Sequence, residues 1–417
     1  MNRLLKFSLF IILLLVTINT VQWLIFNLVG FNPVPFSLLP IIVIFLIPCL
    51  FLSARYINGG IEIPFEVIIF SCLVCFLFVY GYIAGNKIDI ILTEVWTFLL
   101  ITFFFIMGRG SKVWEAIHIP ALITFWISFV LMIVATSFLR QHLVGIGFDE
   151  TQETRKTYTL AYDFIILIEI WPLIFFLGLI RTKQDLIKYL SYATFLAYLL
   201  AMIYFEKRAP MARALLYFIG LIFFTKFIPY RVKSENVLIS VFFIFGGVLL
   251  MPFFLETQFG NRFVEGDYYA RFIELKMAFG DFSLLEWIFG RGLGGFYEPD
   301  SYSEYRFVSH VASSTGAIGK AATHIGLAYP ILKGGLLLFT IIFFQILRLP
   351  IRFLDTEWMQ DPMNRFAIIF LAVYCITRII EGPLTPGAAY EAIMFGLCMG
   401  RISLQPIKAG GSTKIAA

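Results

Sequence analysis

Apolar residues come in long blocks along this chain, each closed by a few polar or basic positions. The blocks fall near 5–28, 37–57, 64–84, 90–108, 119–139, 161–180, 186–205, 211–229, 236–255, 325–347, 364–381 and 387–403. Each is close to the roughly 20 mostly apolar residues that a helix needs to cross the hydrocarbon of a bilayer. Irregular backbone there would leave amides without partners, so the pattern predicts an all-α polytopic integral membrane protein with about twelve transmembrane helices. The first block, which runs to Val29, is too long for the apolar core of a signal peptide and has no small-residue cleavage site. It reads as the first span.

An even number of spans puts both termini on one side. The short connections on that side carry Arg3, Lys6, Arg55, Arg109, Lys112, Arg181, Lys183, Arg231, Lys233, Arg348, Arg352 and Arg401, with Lys408 and Lys414 in the tail. Those on the opposite side carry Lys87, Arg140, Arg155, Lys156, Lys207, Arg208 and Arg213. The excess of Lys and Arg predicts cytoplasmic termini and places 140–160, 205–213 and the long segment 256–324 outside. The chain therefore divides into nine spans (1–255), a large outer loop (256–324), and three spans with a cytoplasmic tail (325–417). No internal repeat and no matching pair of broken spans argues for an inverted-repeat transporter.

Connections beyond about 12–15 residues are functional or disordered, and 256–324 is rich enough in apolar residues to be ordered. Phe272, Leu275, Phe279, Phe282, Leu285 and Phe289 recur at steps of three and four, which predicts one amphipathic helix lying on the membrane or capping a cavity. FGRGLGGF (289–296) follows: its glycines either end that helix in a sharp turn or offer backbone N–H groups to an anion. The small, polar stretch 309–323 is expected to be mobile and leads to His324, where a span begins. The other three histidines, His118, His142 and His310, are scattered.

Outside the membrane, Lys207, Arg208 and Arg213 break the charge pattern, and Arg271 and Arg291 add two more guanidiniums. These either snorkel at the interface or pair with phosphate oxygens. Within the spans lie Glu94, Glu169, Lys333, Arg378, Glu381 and Glu391, each costly in lipid and a functional candidate by default. Arg378 and Glu381, three apart, form either a structural ion pair or part of a substrate site, and Glu94 and Glu169 stay unassigned. The composition agrees: 60% hydrophobic and 14% charged, against about 45–50% and 25% in soluble domains. A net charge of +5 carries no expectation of nucleic acid. All five cysteines lie in apolar blocks, where Cys72 and Cys75 read as packing residues rather than a redox or metal pair. Without His/Cys clustering, a dedicated metal site is not expected. No G-x-S-x-G or Ser/His/Asp ordering suggests a hydrolase.

Taken in order, RFIELKMAF (271–279), WIFGRGLGGF (287–296), His324 and Gly334-Gly335-Leu336 resemble the C-terminal signature of the O-antigen ligase and O-antigen polymerase superfamily. There an arginine-bearing amphipathic segment leads to a glycine turn, then to a histidine that opens a span with glycines further on. Topology extends the likeness over nearly the whole chain, and the specific motif covers about 270–337. Two positions depart from the pattern: Ile325 stands where many members have Asn, and Arg291 where many have an uncharged residue.

The resemblance implies glycan transfer on the periplasmic face of the bacterial inner membrane. The donor and acceptor would be sugar chains linked to undecaprenyl diphosphate, with no cofactor or metal. It assigns the donor diphosphate to Arg208, with Arg213 as competitor, and to Arg271, with Arg291 nearby. His324 falls beside the acceptor hydroxyl, as base or as orienting group. Lys333, Arg378 and Glu381 are further candidates. The chemistry fits: guanidiniums stabilise the departing diphosphate, and a proton acceptor activates the hydroxyl. The leading expectation is a polymerase joining repeat units, possible company being a chain-length regulator. The alternatives are a ligase that moves the chain onto lipid A core and, in another class, a flippase for the lipid-linked sugar.

Overall fold

The computed structural model describes residues 2–29, 46, 48, 64–145, 168–181, 185–204, 208–222, 275–297, 310–312, 318–320, 326–355, 357–380 and 389–404. The expected spans 37–57 and 236–255 lie outside this set, as do Arg271, His324 and Glu381. The helices are α1 (Asn2–Val29), α2 (Phe65–Ile83), α3 (Ile88–Gly108), α4 (Ser111–Ala116), α5 (His118–Gly145), α6 (Trp171–Arg181), α7 (Asp185–Tyr204) and α8 (Arg208–Ile222). They continue with α9 (Leu284–Phe289), α10 (Ala328–Leu354), α11 (Pro362–Ile380) and α12 (Ala389–Ile402). Among the described residues, four stretches are long and apolar enough to cross a membrane: Phe65–Ile83, Ile90–Gly108, Asp185–Ile203 and Ala328–Leu354. Their outward faces carry exposed Ile69, Phe76, Leu99, Leu196, Ile203 and Phe344, the surface of a helix bundle whose solvent is lipid.

The bundle is centred on α3 and α12, which share its most extensive packing. Small residues permit the approach: a β-carbon at Gly396 would meet the Ile101 carbonyl at 2.5 Å, and one at Gly400 would overlap the Phe105 carbonyl. Without a hydrophobic drive between helices in lipid, such backbone contact and buried polar bonds supply the association. Thr17 Oγ1 and Tyr390 Oη lie 2.6 Å apart, and Tyr390 donates to the Leu13 carbonyl at 2.9 Å, tying α1 to α12. His118 Nε2 sits 3.0 Å from Ser191 Oγ, joining α5 to α7. An aromatic seam, Trp171–Phe195, Phe195–Phe218 and Tyr217–Phe370, links α6, α7, α8 and α11.

Three expectations change. The single amphipathic helix is two pieces: helix runs through 275–279, Gly280 N–H closes it on the Lys276 carbonyl at 2.8 Å, and α9 restarts behind Ser283. Ser283 and Glu286 form a reciprocal capping box that fixes the new start. The seeming periodicity across the break comes from Phe279, Phe282 and Trp287 stacking on one another around the turn. The span expected at 325–347 is α10, interrupted at Gly334 and Gly335, where φ is −135° and +60°. Within 309–323, His310–Ala312 and Ile318–Lys320 pair as antiparallel strands, His310 opposite Lys320. Every other described element is helical or a turn.

Candidate functional site

Of the expected residues that are described, all but Arg208 gather in two places. The first is the glycine turn, docked between α2, α3 and α10. Gly290 ends α9 with φ +69°, a conformation that disfavours a side chain. A β-carbon there would crowd Gly334 N at 2.6 Å, and one at Gly335 would overlap the Ile288 carbonyl. The interruption of α10 and the turn therefore fit into one another. The Arg291 amide donates to the Leu332 carbonyl at 2.8 Å, and the Leu293 amide to Leu77 at 3.2 Å. Asn86 Nδ2 spans the Arg291 and Leu293 carbonyls at 3.0 and 2.9 Å.

Lys333 locks this joint. It is fully buried, its Nζ 2.6 Å from Glu94 Oε1, and it donates to the Gly295 carbonyl at 2.6 Å. Glu94 in turn accepts from the Gly294 amide at 2.7 Å and from Tyr329 Oη at 3.3 Å. The amides of Gly290, Arg291, Leu293, Gly294 and Gly295 are all taken by protein acceptors. Of the two readings of the glycines, the helix-ending turn describes their geometry, and those N–H groups do not face an open anion site. Arg291 is held in the same joint, with Nη2 2.6 Å from Asp281, Nε 3.2 Å from Glu286 and Nη1 donating to the Phe296 carbonyl at 2.7 Å.

The second place is a narrow cleft between α6, α7, α8, α11 and α12, lined by Glu169, Arg213, Glu391, Trp171, Tyr217 and Tyr374 among others. Arg213 Nη1 lies 3.2 Å from Glu169 Oε1 and 3.1 Å from Glu391 Oε1. Arg378 also pairs with Glu391 Oε1. Arg378 thus bonds across to α12. Two arginines and two glutamates balance in charge, which is what makes four such side chains tolerable in a bundle core. Arg213 is 6% exposed and Glu391 4%.

Arg208 is the first residue of α8, five positions before Arg213. Glu94, Glu169 and Glu391 were visible in the sequence as ionisable residues in apolar blocks, but their partners were not. The need of each buried carboxylate for a cation was the available signal; Trp171, Tyr198, Tyr217 and Tyr374 gave none in blocks already crowded with aromatics. Among the described residues no group of three or more His, Cys, Asp or Glu is placed to hold a metal ion. Cys72 and Cys75 are free thiols on the exposed face of α2. No family model, curated protein or solved structure matches this chain.

Proposed function

We propose that this protein is a membrane glycosyltransferase that joins undecaprenyl-diphosphate-linked repeat units of a surface polysaccharide on the periplasmic face of the bacterial inner membrane. In this reading the chain has about twelve spans, both termini in the cytoplasm and one large periplasmic loop. The observation that carries it is the cleft: arginine, glutamate and aromatic side chains collected inside an apolar bundle. Such a cleft can hold a polar group at the edge of a larger molecule, while guanidiniums nearby suit a lipid diphosphate.

The packing agrees with the grouping of helix ends by side taken from the charges. Helix ends assigned to one side meet one another: Arg348 reaches Glu66 at 2.7 Å and Arg352 the Ile402 carbonyl at 3.0 Å on the inner side. Asn86 meets the glycine turn on the outer side. Arg213, Arg378 and Glu391 all sit toward helix ends assigned to the outer side. Arg208 and Arg271 are the guanidiniums proposed for the donor diphosphate, and His324 for the acceptor, while Arg213 and Arg291 hold carboxylates of the fold.

The test is a deletion strain whose surface glycolipids are compared on a gel with those of complemented cells. Lipid A core bearing a single repeat unit without a ladder is the expected result. A bare core with long chains held on undecaprenyl diphosphate identifies a ligase, and repeat units trapped on the cytoplasmic leaflet a flippase. An unchanged ladder refutes all three.

A further inference from the structure

The apolar block 161–180 reads as one continuous span, yet residues 169 and 170 form a turn and α6 begins only at Trp171, with Pro172 in its first turn. Non-helical backbone at membrane depth persists where protein covers it or where it lines a polar cavity. Here it lines the cleft and carries Glu169. The two carboxylates of the cleft are not equivalent. Glu391 Oε1 takes both Arg213 and Arg378, and the side chain is 5% exposed. Among the described residues Glu169 is met by Arg213 alone, through Oε1, and its side chain is 10% exposed. Among the described residues nothing donates to its Oε2.

A second observation points to a guest. Tyr374 lines the same cleft and is 1% exposed, and its hydroxyl has no hydrogen-bond partner among the described residues. Buried hydroxyls are nearly always satisfied, and one that is not marks a site completed by something else. The cleft is narrow enough to admit a hydroxyl rather than a whole sugar ring. Its occupant is then the edge of a larger molecule.

Building on the glycan-transfer reading, we propose that the acceptor sugar's hydroxyl docks in this cleft, that Glu169 takes its proton, and that Tyr374 supplies its second hydrogen bond. The acceptor O–H bond breaks with the proton passing to Glu169 Oε2. The oxygen's electron pair forms the bond to the donor's anomeric carbon. The bond from that carbon to the diphosphate breaks, and its electron pair leaves on the lipid diphosphate. Before the step the two arginines and two glutamates sum to zero charge. Once Glu169 is neutral they sum to one positive charge, present as the diphosphate anion departs.

The test uses the full chain in lipid nanodiscs, with undecaprenyl diphosphate carrying one repeat unit as donor and a short-chain-lipid-linked repeat unit as acceptor. Glu169→Gln keeps an oxygen for Arg213 but cannot hold the proton. Its kcat is expected to fall about 10²–10⁴-fold with acceptor KM near wild type, while the charge left over on Arg213 lowers its melting temperature. Glu169→Asp is expected to restore part of the rate. Tyr374→Phe removes a hydroxyl without an internal partner, so it is expected to fold as wild type and to raise acceptor KM. Wild-type turnover by Glu169→Gln overturns the proposal and leaves glycan transfer standing. If Glu169→Gln does not fold, an unchanged acceptor KM in Tyr374→Phe overturns it instead. Wild-type protein that forms no product from this donor overturns both.

Discussion

Replacing Lys333 with methionine removes one charge and almost no volume, which isolates what the ammonium does. In the native joint it faces Glu94 at 2.6 Å and the Gly295 carbonyl at 2.6 Å, with no exposure of its own. Lys333→Met strands the Glu94 carboxylate, whose side chain is 11% exposed, with only the Gly294 amide and Tyr329 hydroxyl to answer it. Breaking a buried pair in this way costs about 3–5 kcal/mol, and the orphaned Gly295 carbonyl adds about 1 kcal/mol. The two remaining donors and the partial exposure of Glu94 favour the lower end, about 4 kcal/mol in all. Adding Glu94→Gln removes the stranded charge and keeps an acceptor for Gly294, so the double variant should regain at least about 1 kcal/mol.

Equilibrium unfolding in mixed micelles, followed by tryptophan fluorescence, measures both differences. Trypsin cleavage after Arg291 reports the joint locally, since the turn should open before the bundle does. A Lys333→Met protein as stable as wild type, or a double variant no more stable than the single, would refute the claim that this pair holds the turn.

Other consequences follow from the same contacts. Gly335→Ala, at φ +60° and against the Ile288 carbonyl, should lose at least about 1–3 kcal/mol and expose Arg291 to trypsin. Gly400→Ala pushes α12 away from the Phe105 carbonyl and should lower the unfolding free energy by about 1–3 kcal/mol in the same assay. Arg291→Lys gives up the fork shared by Asp281, Glu286 and the Phe296 carbonyl. It should destabilise the turn by about 1–2 kcal/mol and leave donor KM unchanged; a raised donor KM would return this guanidinium to the diphosphate. Arg378→Met leaves Glu391 with Arg213 alone, so its unfolding cost, about 3 kcal/mol, should shrink when Glu391→Gln is added.

Helical spans in this chain are legible because hydrocarbon imposes a one-dimensional rule: about 20 apolar residues with every backbone amide satisfied internally. The blocks at 64–84, 90–108 and 186–205 accordingly match Phe65–Ile83, Ile90–Gly108 and Asp185–Ile203. The ionisable residues within the spans were equally plain, since each stands out against an apolar block. What sequence alone could not settle was geometry that depends on neighbours. Phe279 and Phe282 keep a helical spacing across a break that Gly280 and the Ser283 cap create. Gly334 and Gly335 reveal an interruption only once the turn at 288–290 presses on them. Arg378 has a carboxylate three residues away in sequence and bonds another across the bundle. Composition and periodicity determined that this is a helical membrane protein and which polar groups its bundle must accommodate. Tertiary packing alone decided which charge answers which, because a buried ion pair is set by where helices meet and not by how far apart its members lie along the chain.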